Sequence, residues 1–365
     1  MTLAAPALDH VDLRTPEILA AIEPDHERIL ITTGPRSGLT IIVAVHSTRL
    51  GQALGGARMW TYAHWTDALA DALRLSQAMT LKNAAAGLLR GGGKAVIRVP
   101  VGTAVTPELK RQAMLDLGDA VASLGGAYMT AEDVGTSADL MAIVAERTEH
   151  VCGLPAEQGG VGEPADATAA GVHAGIVATV AELFGSESLG GRHFCIAGLG
   201  QVGGRLARSL ARAGARLTLS DVVPSKRELA DELGAAWVEP EDAHRVVADV
   251  FVPCGLGGVL TPETIAELRV RAVVGAANNQ LSSRESAALL AERGILWAPD
   301  FVVNGGGVIY LDLASVPGAD EALVGERVGA IGETLAGVYR ESAARGITTL
   351  AAAERLAFAR LDAAR

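Results

Sequence analysis

The sequence predicts an α/β protein of two domains, the second a doubly wound parallel sheet of Rossmann type. Three observations predict it. Short β-branched runs alternate with helix-length runs through residues 192–298, the pattern of parallel strands joined by crossover helices. One strand-to-helix joint there, Gly198-Leu199-Gly200-Gln201-Val202-Gly203, has the glycine spacing of a dinucleotide-binding turn. Before about residue 150 the pattern differs, with two strand-like runs flanking a turn and then isolated helices. With 365 residues, 49% of them hydrophobic, the chain can bury more than one core. Neither a repeat nor a low-complexity linker is visible, so the boundary near residue 150 rests on the change of pattern.

Taken in order, Glu27–Thr33 and Thr40–His46 read as neighbouring strands, with Gly34–Gly38 as the hairpin turn. Thr66 is placed to cap a helix running to about Met79, where Leu69, Ala72, Leu73 and Ser76 recur at helical spacing; this helix is expected to end just before Lys82. Gly91-Gly92-Gly93 reads as a turn in front of a buried strand, Lys94–Val99. Thr106–Leu124 reads as a helix ended by Gly125-Gly126, and Ala127-Tyr128-Met129 as a short strand ahead of Asp133. In the second half, strands are expected at Arg192–Ala197, Arg216–Ser220, Asp249–Val252, Arg271–Ala276 and Ile295–Ala298, with a helix at Val202–Ala213. The tail from Glu321 to Arg365 is expected to be helical throughout.

Composition excludes several classes. A formal net charge of -11 argues against non-specific nucleic-acid binding, and an aromatic content of 4% leaves little for base stacking. Cys152, Cys195 and Cys254 are far apart without a CxxC, and no HExxH occurs, so neither a disulfide scaffold nor a metal is expected. With no leader pattern and no long uncharged apolar run, the expectation is a soluble cytoplasmic metabolic protein with no membrane partner.

The glycine turn makes chemical sense residue by residue. Gly198 permits the tight turn, Gly200 lets a pyrophosphate approach the backbone, and Gly203 allows close helix–strand packing. The following helix presents free N–H groups and its positive dipole end. Asp221 ends the next strand, where a carboxylate accepts from ribose hydroxyls and repels a 2′-phosphate; NAD is therefore favoured over NADP, a preference softened by Lys226 and Arg227. A P-loop is excluded, because Leu88 stands at its first glycine and Ala95 at its hydroxyl.

Two lysines, Lys82 and Lys94, are separated by small and apolar residues. Desolvation disfavours an ammonium, so a lysine in such surroundings can act as a base near neutral pH. The bland readings are a solvated surface charge for either lysine and a helix cap for Asp133.

The stretch GGARMWTYAHWTDALADALRLSQAMTLKNAAAGLLRGGGKAVI resembles the core of the leucine/phenylalanine/valine dehydrogenase group, within the wider glutamate dehydrogenase superfamily. The resemblance continues through TAEDVGT, GLGQVGGRLA, FVPCGLGGVL, GAANNQL and APDFVVNGGGVI, from about Gly38 to the final helices. It implies a catalytic domain at residues 1–150, a dinucleotide-binding domain at 151–334, a cleft between them, and helices from about 335–365 packing back on the first domain. It implies that Lys94 activates the water that attacks the imine carbon and that Asp133 exchanges protons with the substrate nitrogen. Lys82 matches the lysine that binds the substrate carboxylate, and Gly55 and Gly56 fall among substrate-binding positions. Thr168 matches a cofactor-contacting threonine. Cys254, Gly255, Ala277, Asn278 and Asn279 match segments lining the nicotinamide and its ribose, Asn279 also touching substrate. Asn304 matches a position that holds the site's backbone together. Leu54, Ala131, Val308 and Leu311 correspond to the side-chain pocket.

The implied activity is NAD-dependent oxidative deamination of an apolar L-amino acid to its 2-oxo acid and ammonia, by a homo-oligomer. Two alternatives stand beside it: the same chemistry on an unusual 2-oxo acid, and a non-catalytic cofactor-binding regulator. The chain departs from the family pattern at Ile97-Arg98-Val99-Pro100, which lacks an acid, at Gly160–Asp166, where Glu163 adds one, and at Gly255 and Gly305. These departures bear on substrate scope.

Overall fold

The computed structural model describes residues 25–155, 157, 164–314 and 320–364. Glu163 and its neighbours Gly160–Gly162, singled out above, lie outside the described residues. The chain forms two compact units, residues 25–80 with 91–151, and residues 81–90 with those from 152 onward.

The first unit is built on five strands, β1 (Arg28–Thr33), β2 (Thr40–Ser47), β3 (Ala53–Thr61), β4 (Gly91–Val99) and β5 (Tyr128–Glu132), in the order β1-β2-β4-β3-β5. β2 pairs antiparallel with both β1 and β4, while β3 is parallel to both β4 and β5. The expected β1–β2 hairpin is present. Its turn is held by buried Asp116, which accepts from Ser37 Oγ at 2.7 Å and from Arg36 Nη1 at 2.8 Å. Helix α1 (Trp65–Ala85) lays Ala68, Leu69, Ala72 and Leu73 on Ile42, Ala44 and Val96 of the sheet. Helix α2 (Pro107–Ser123) begins as expected, with Thr106 accepting from the Leu109 N–H at 3.1 Å and Pro107 in the first turn. Helix α3 (Ala138–Ala145) is capped by Ser137.

Three sequence expectations change here. Gly91, Gly92 and Gly93 are strand residues of β4, not a turn. Glycine is needed because neighbouring elements come too close for any side chain. A Cβ would lie 1.9 Å from Ser47 O at Gly91, 2.1 Å from Thr80 N at Gly92 and 2.5 Å from the Tyr128 ring at Gly93. Strand β3 was not anticipated, because its Gly55 and Gly56 weaken a local strand signal. Helix α1 starts at Trp65, where Asp67 accepts from the His64 N–H, and it continues through Lys82. Leucine, lysine and alanine propagate a helix, and the chain leaves it only near Gly87 at φ +70°. Lys82 is therefore a last-turn helix residue, and it clusters with the second unit.

The second unit is a six-stranded parallel sheet: β6 (His193–Ala197), β7 (Arg216–Ser220), β8 (Ala236–Trp237), β9 (Val250–Pro253), β10 (Ala272–Val273) and β11 (Leu296–Trp297). Its order, β8-β7-β6-β9-β10-β11, is the doubly wound dinucleotide-binding order with the strand reversal at β6/β9. β8 adds to the predicted strands, and β10 and β11 are shorter than expected. Helix α4 (Ala165–Phe184) is apolar and long enough, by length and composition, to cross a membrane, although Asp166 and Glu182 keep it from being an uncharged run. Its Val172, Ile176 and Val180 are buried in the core with Phe194 and Ile196 of β6.

The remaining helices are α5 (Gln201–Arg212), α6 (Arg227–Leu233), α7 (Pro262–Glu267), α8 (Glu285–Glu292), α9 (Asp300–Val303), α10 (Gly306–Ala314), α11 (Glu321–Arg345) and α12 (Thr349–Ala363). The tail is thus two helices, broken at left-handed Gly346 and restarted by the Thr348 cap. Leu335, Val338 and Tyr339 of α11 enter the core beside α4, where Tyr339 Oη and Thr179 Oγ1 hydrogen bond at 2.7 Å. Val328 and Ile331 of α11 pack with Leu88, and Arg360 of α12 donates to Ala84 O at 2.8 Å. The C-terminal helices therefore meet the 81–90 segment, which itself belongs to the second unit.

In the first unit His26 and His46 meet edge to face, centroids 4.9 Å apart, and His46 Nδ1 lies 2.8 Å from Thr80 Oγ1. Burial, reinforced by the charge of His26, lowers His46 from 6.5 to about 4. The folded state then binds fewer protons than the unfolded state between these values, so stability is intact above pH 6.5 and falls as pH drops toward 4. Urea midpoints measured across this window are expected to decline with acid, and His46→Gln is expected to flatten that decline.

Candidate active site

In the first unit, strands β3 and β4, the segment after β5 and helix α1 bring four ionisable side chains together. Lys94 on β4 is buried, with Nζ 2.9 Å from Asp133 Oδ2. Arg58 on β3 places Nε 2.9 Å from the same oxygen and Nη1 2.9 Å from Asp71 Oδ2. Asp71 on α1 also accepts from Tyr62 Oη at 2.6 Å and Arg74 Nη2 at 2.7 Å. Burial pushes Lys94 below the usual lysine range, and the Arg58 charge acts in the same direction; Asp133 opposes both without reversing them. Burial would raise Asp133, but Lys94 and Arg58 hold it below the usual carboxylate range. The result is a carboxylate whose ionised form is favoured beside a lysine whose charged form burial disfavours.

Gly55 and Gly56 serve this geometry by packing. A Cβ at Gly55 would lie 1.8 Å from Gly93 O, and one at Gly56 would lie 2.8 Å from Asp133 Cβ. Thr136 then fixes the segment after β5: its hydroxyl accepts from the Asp133 N–H at 2.8 Å and donates to Ala57 O at 2.9 Å. Leu54 and Ala131 are buried on β3 and β5 of the same unit.

A second cluster lies in the second unit. Lys82 Nζ donates to Asn278 Oδ1 at 2.9 Å, and Asn304 Nδ2 donates to the same oxygen at 2.9 Å. Asn304 Nδ2 also donates to Ala276 O, so both carbonyl oxygens face its amide nitrogen, and its buried Oδ1 has no hydrogen bond among the described residues. Asn279 is in the left-handed region at φ +51° and donates its N–H to Asp300 Oδ2 at 2.5 Å. Burial raises Asp300, an effect that the Lys82 charge opposes. Val308 and Leu311 lie on α10, and Thr168 on α4 donates its hydroxyl to Pro164 O at 3.0 Å.

The glycine turn joins β6 to α5. Gly198 is left-handed at φ +102° and a Cβ there would meet Gly255 N at 2.6 Å; one at Gly203 would meet Gly198 O at 1.9 Å. A Cβ at Gly200 would meet nothing within 4 Å, and no side chain caps the first turn of α5. The first and third glycines are thus required by packing, while the second leaves a space in front of free helix N–H groups. Asp221 accepts from the Leu199 N–H at 2.5 Å and the Val223 N–H at 2.8 Å, which ties the end of β7 to the turn. Gln201 and Val202 open α5, and buried Ala277 follows β10. Burial pushes the Cys254 thiol up to about 11, which disfavours its thiolate near neutral pH.

Residues 26–150 match the family described as Glu/Leu/Phe/Val dehydrogenase, dimerisation domain, and residues 220–365 match Glutamate/Leucine/Phenylalanine/Valine dehydrogenase. A leucine dehydrogenase from Bacillus cereus is 41% identical over 95% of this chain and 94% of its own length. The chain belongs to the Glu/Leu/Phe/Val dehydrogenase family. A phenylalanine dehydrogenase from Lysinibacillus sphaericus is also 41% identical, over 91% of this chain and 87% of its own. Among solved structures, L-tryptophan dehydrogenase from Nostoc punctiforme superposes with a TM-score of 0.80 at 35% identity, covering 95% of this chain and 98% of that one. The chain is accordingly an oxidoreductase of a nicotinamide-dependent family that acts on amino acids.

The second unit fits such a cofactor. The open space at Gly200 and the uncapped start of α5 suit its pyrophosphate, and among the described residues the buried Asn304 Oδ1 is an acceptor with no donor. Arg58, Asp71 and Asp300 were missed by sequence reasoning. Arg58 stands inside GGARMW and Asp300 inside APDF, both quoted for the resemblance, but an isolated charge carries no sign of its distant partners.

Gly200→Ala is expected to leave the unfolding midpoint within about 0.5 kcal/mol of the parent while weakening dinucleotide binding. Gly203→Ala is expected to destabilise by about 1–3 kcal/mol. Urea denaturation and fluorescence titration with reduced cofactor separate the two outcomes.

Proposed function

We propose that this protein catalyses the NAD-dependent, reversible oxidative deamination of an apolar L-amino acid, with a branched-chain substrate favoured, to a 2-oxo acid and ammonia. The observation that carries the proposal is buried Lys94 with its Nζ 2.9 Å from Asp133. The amino acids named for the relatives, leucine and phenylalanine, support an apolar side chain. Leu54, Ala131, Val308 and Leu311 are assigned to the side-chain pocket. None carries a charge to meet a side-chain carboxylate, which disfavours glutamate. Differences of a methylene or two are worth only about 1–3 kcal/mol each, so close homologues of the substrate are expected to be used too.

The roles follow from the chemistry of each group. Lys82, in the last turn of α1, binds the substrate carboxylate, while Asn278 holds its ammonium in place. Asp133 accepts a proton from the substrate nitrogen, leaving a neutral amine. When bound, NAD would supply the hydride acceptor for the α-carbon, so that removal of the hydride gives an iminium. Lys94, in its neutral form, removes a proton from the water that adds to the resulting iminium carbon. Asp133 returns a proton to nitrogen, and as the carbinolamine collapses the hydroxyl proton passes to the departing amine, so that ammonium and the 2-oxo acid are released. Gly198–Gly203, Thr168, Cys254, Gly255, Ala277, Asn279 and Asn304 are the proposed cofactor-binding positions. Asp221 is assigned to the adenosine ribose, which favours NAD over NADP. Strand β1 lies at the edge of the first sheet, and this edge, in a region described as a dimerisation domain, is proposed for self-association.

NADH formation at 340 nm with L-valine, L-leucine and L-phenylalanine at alkaline pH is the direct test. Turnover is expected, falling by about 10²–10⁴ in Lys94→Ala with cofactor binding retained. No turnover with any aliphatic or aromatic L-amino acid, despite bound NAD, would sink the proposal. Asp221→Ala is expected to weaken NAD binding and narrow its lead over NADP; an unchanged ratio of dissociation constants would remove the ribose assignment.

A further inference from the structure

The Asp133 carboxylate is engaged unevenly. Lys94 Nζ and Arg58 Nε both lie 2.9 Å from Oδ2, and among the described residues no hydrogen bond reaches Oδ1. Arg58 cannot turn freely to the other oxygen. Its guanidinium is a rigid plane, and Nη1 is held 2.9 Å from Asp71 Oδ2. Asp71 is itself fixed by Tyr62 Oη at 2.6 Å and Arg74 Nη2 at 2.7 Å. The close approach of β3 to the end of β5, which requires glycine at position 56, puts this clamp where it reaches Asp133.

We infer that Arg58 is a positioning residue for the reaction: with Lys94 it occupies Asp133 Oδ2 and leaves Oδ1 as the oxygen that exchanges a proton with the substrate nitrogen. The inference rests on the proposed deamination. The charged groups acting on Lys94 are Asp133, Arg58 and Asp71, and the last two act with opposite sign. The Arg58 cation disfavours protonation of Lys94, while the Asp71 carboxylate favours it. A neutral side chain at position 58 therefore moves Lys94 titration up, and one at position 71 moves it down.

The experiment compares wild type, Arg58→Gln, Arg58→Lys and Asp71→Asn. One readout is the acid limb of kcat/KM for amino-acid oxidation. The other, independent of turnover, is the NMR titration of Lys94 in protein with isotope-labelled lysine, its signal assigned by loss in Lys94→Arg. In Arg58→Gln the limb and the titration are expected to rise by about one pH unit, with kcat down about a hundredfold and KM for the amino acid changed far less. Arg58→Lys restores the charge and brings the titration back toward wild type. Asp71→Asn shifts it the other way. A role limited to stability would lower unfolding midpoints without these opposed shifts. Unmoved titration in folded Arg58→Gln overturns the inference; should that variant not fold, unmoved titration in Asp71→Asn overturns it. Opposed shifts in a protein that oxidises no amino acid would instead overturn the deamination and leave the charge arrangement standing.

Discussion

The first unit depends on one interaction, the contact of buried Lys94 with the Asp133 carboxylate. Removing an ammonium from water costs several kcal/mol, and a single opposite charge offsets this only with good geometry and further hydrogen bonds. The structure supplies both. Arg58 shares the carboxylate, Asp71 anchors Arg58, and Thr136 holds the backbone of Asp133. Glycines 55, 56 and 91–93 let three strands and helix α1 approach closely enough for this cluster to form. Tyr128 completes the arrangement, its ring against Gly93 and its hydroxyl donating to Gly55 O at 2.5 Å.

The second unit solves a different problem with the same residue type. Gly198 and Gly203 are consumed in closing the β6–α5 turn, whereas Gly200 leaves open space before uncapped helix N–H groups. Around β10, Asn278 gathers Lys82 and Asn304, and Asp300 holds left-handed Asn279. Polar groups are thus fixed by one another, with the Asn304 Oδ1 left over. Among the described residues this buried acceptor has no donor, whereas the amide nitrogen of the same side chain is fully engaged.

Local signals were legible and remote ones were not. The alternation of strands and helices, the glycine turn and the acid after β7 could be read because each spans only a few residues, and the six-stranded order agrees with them. The triple glycine was misread as a turn, since its need for closeness comes from Ser47, Thr80 and Tyr128, far along the chain. For the same reason β3 was missed and Arg58 overlooked: its partners Asp71 and Asp133 come from α1 and the end of β5. Lys82 falls inside its helix because the helix-forming run continues unbroken until left-handed Gly87. Family resemblance pointed to Lys94 and Asp133, and the fold adds their contact at 2.9 Å.

The central claim is that Asp133 works through Oδ1 beside a base at Lys94. A crystal structure with NAD and an unreactive analogue of a branched-chain L-amino acid tests it most directly. The account predicts the ligand nitrogen within hydrogen-bond distance of Asp133 Oδ1, with Arg58 and Lys94 still on Oδ2. A ligand nitrogen on Oδ2 with Arg58 displaced, or an amino acid bound away from Asp133 altogether, would contradict it.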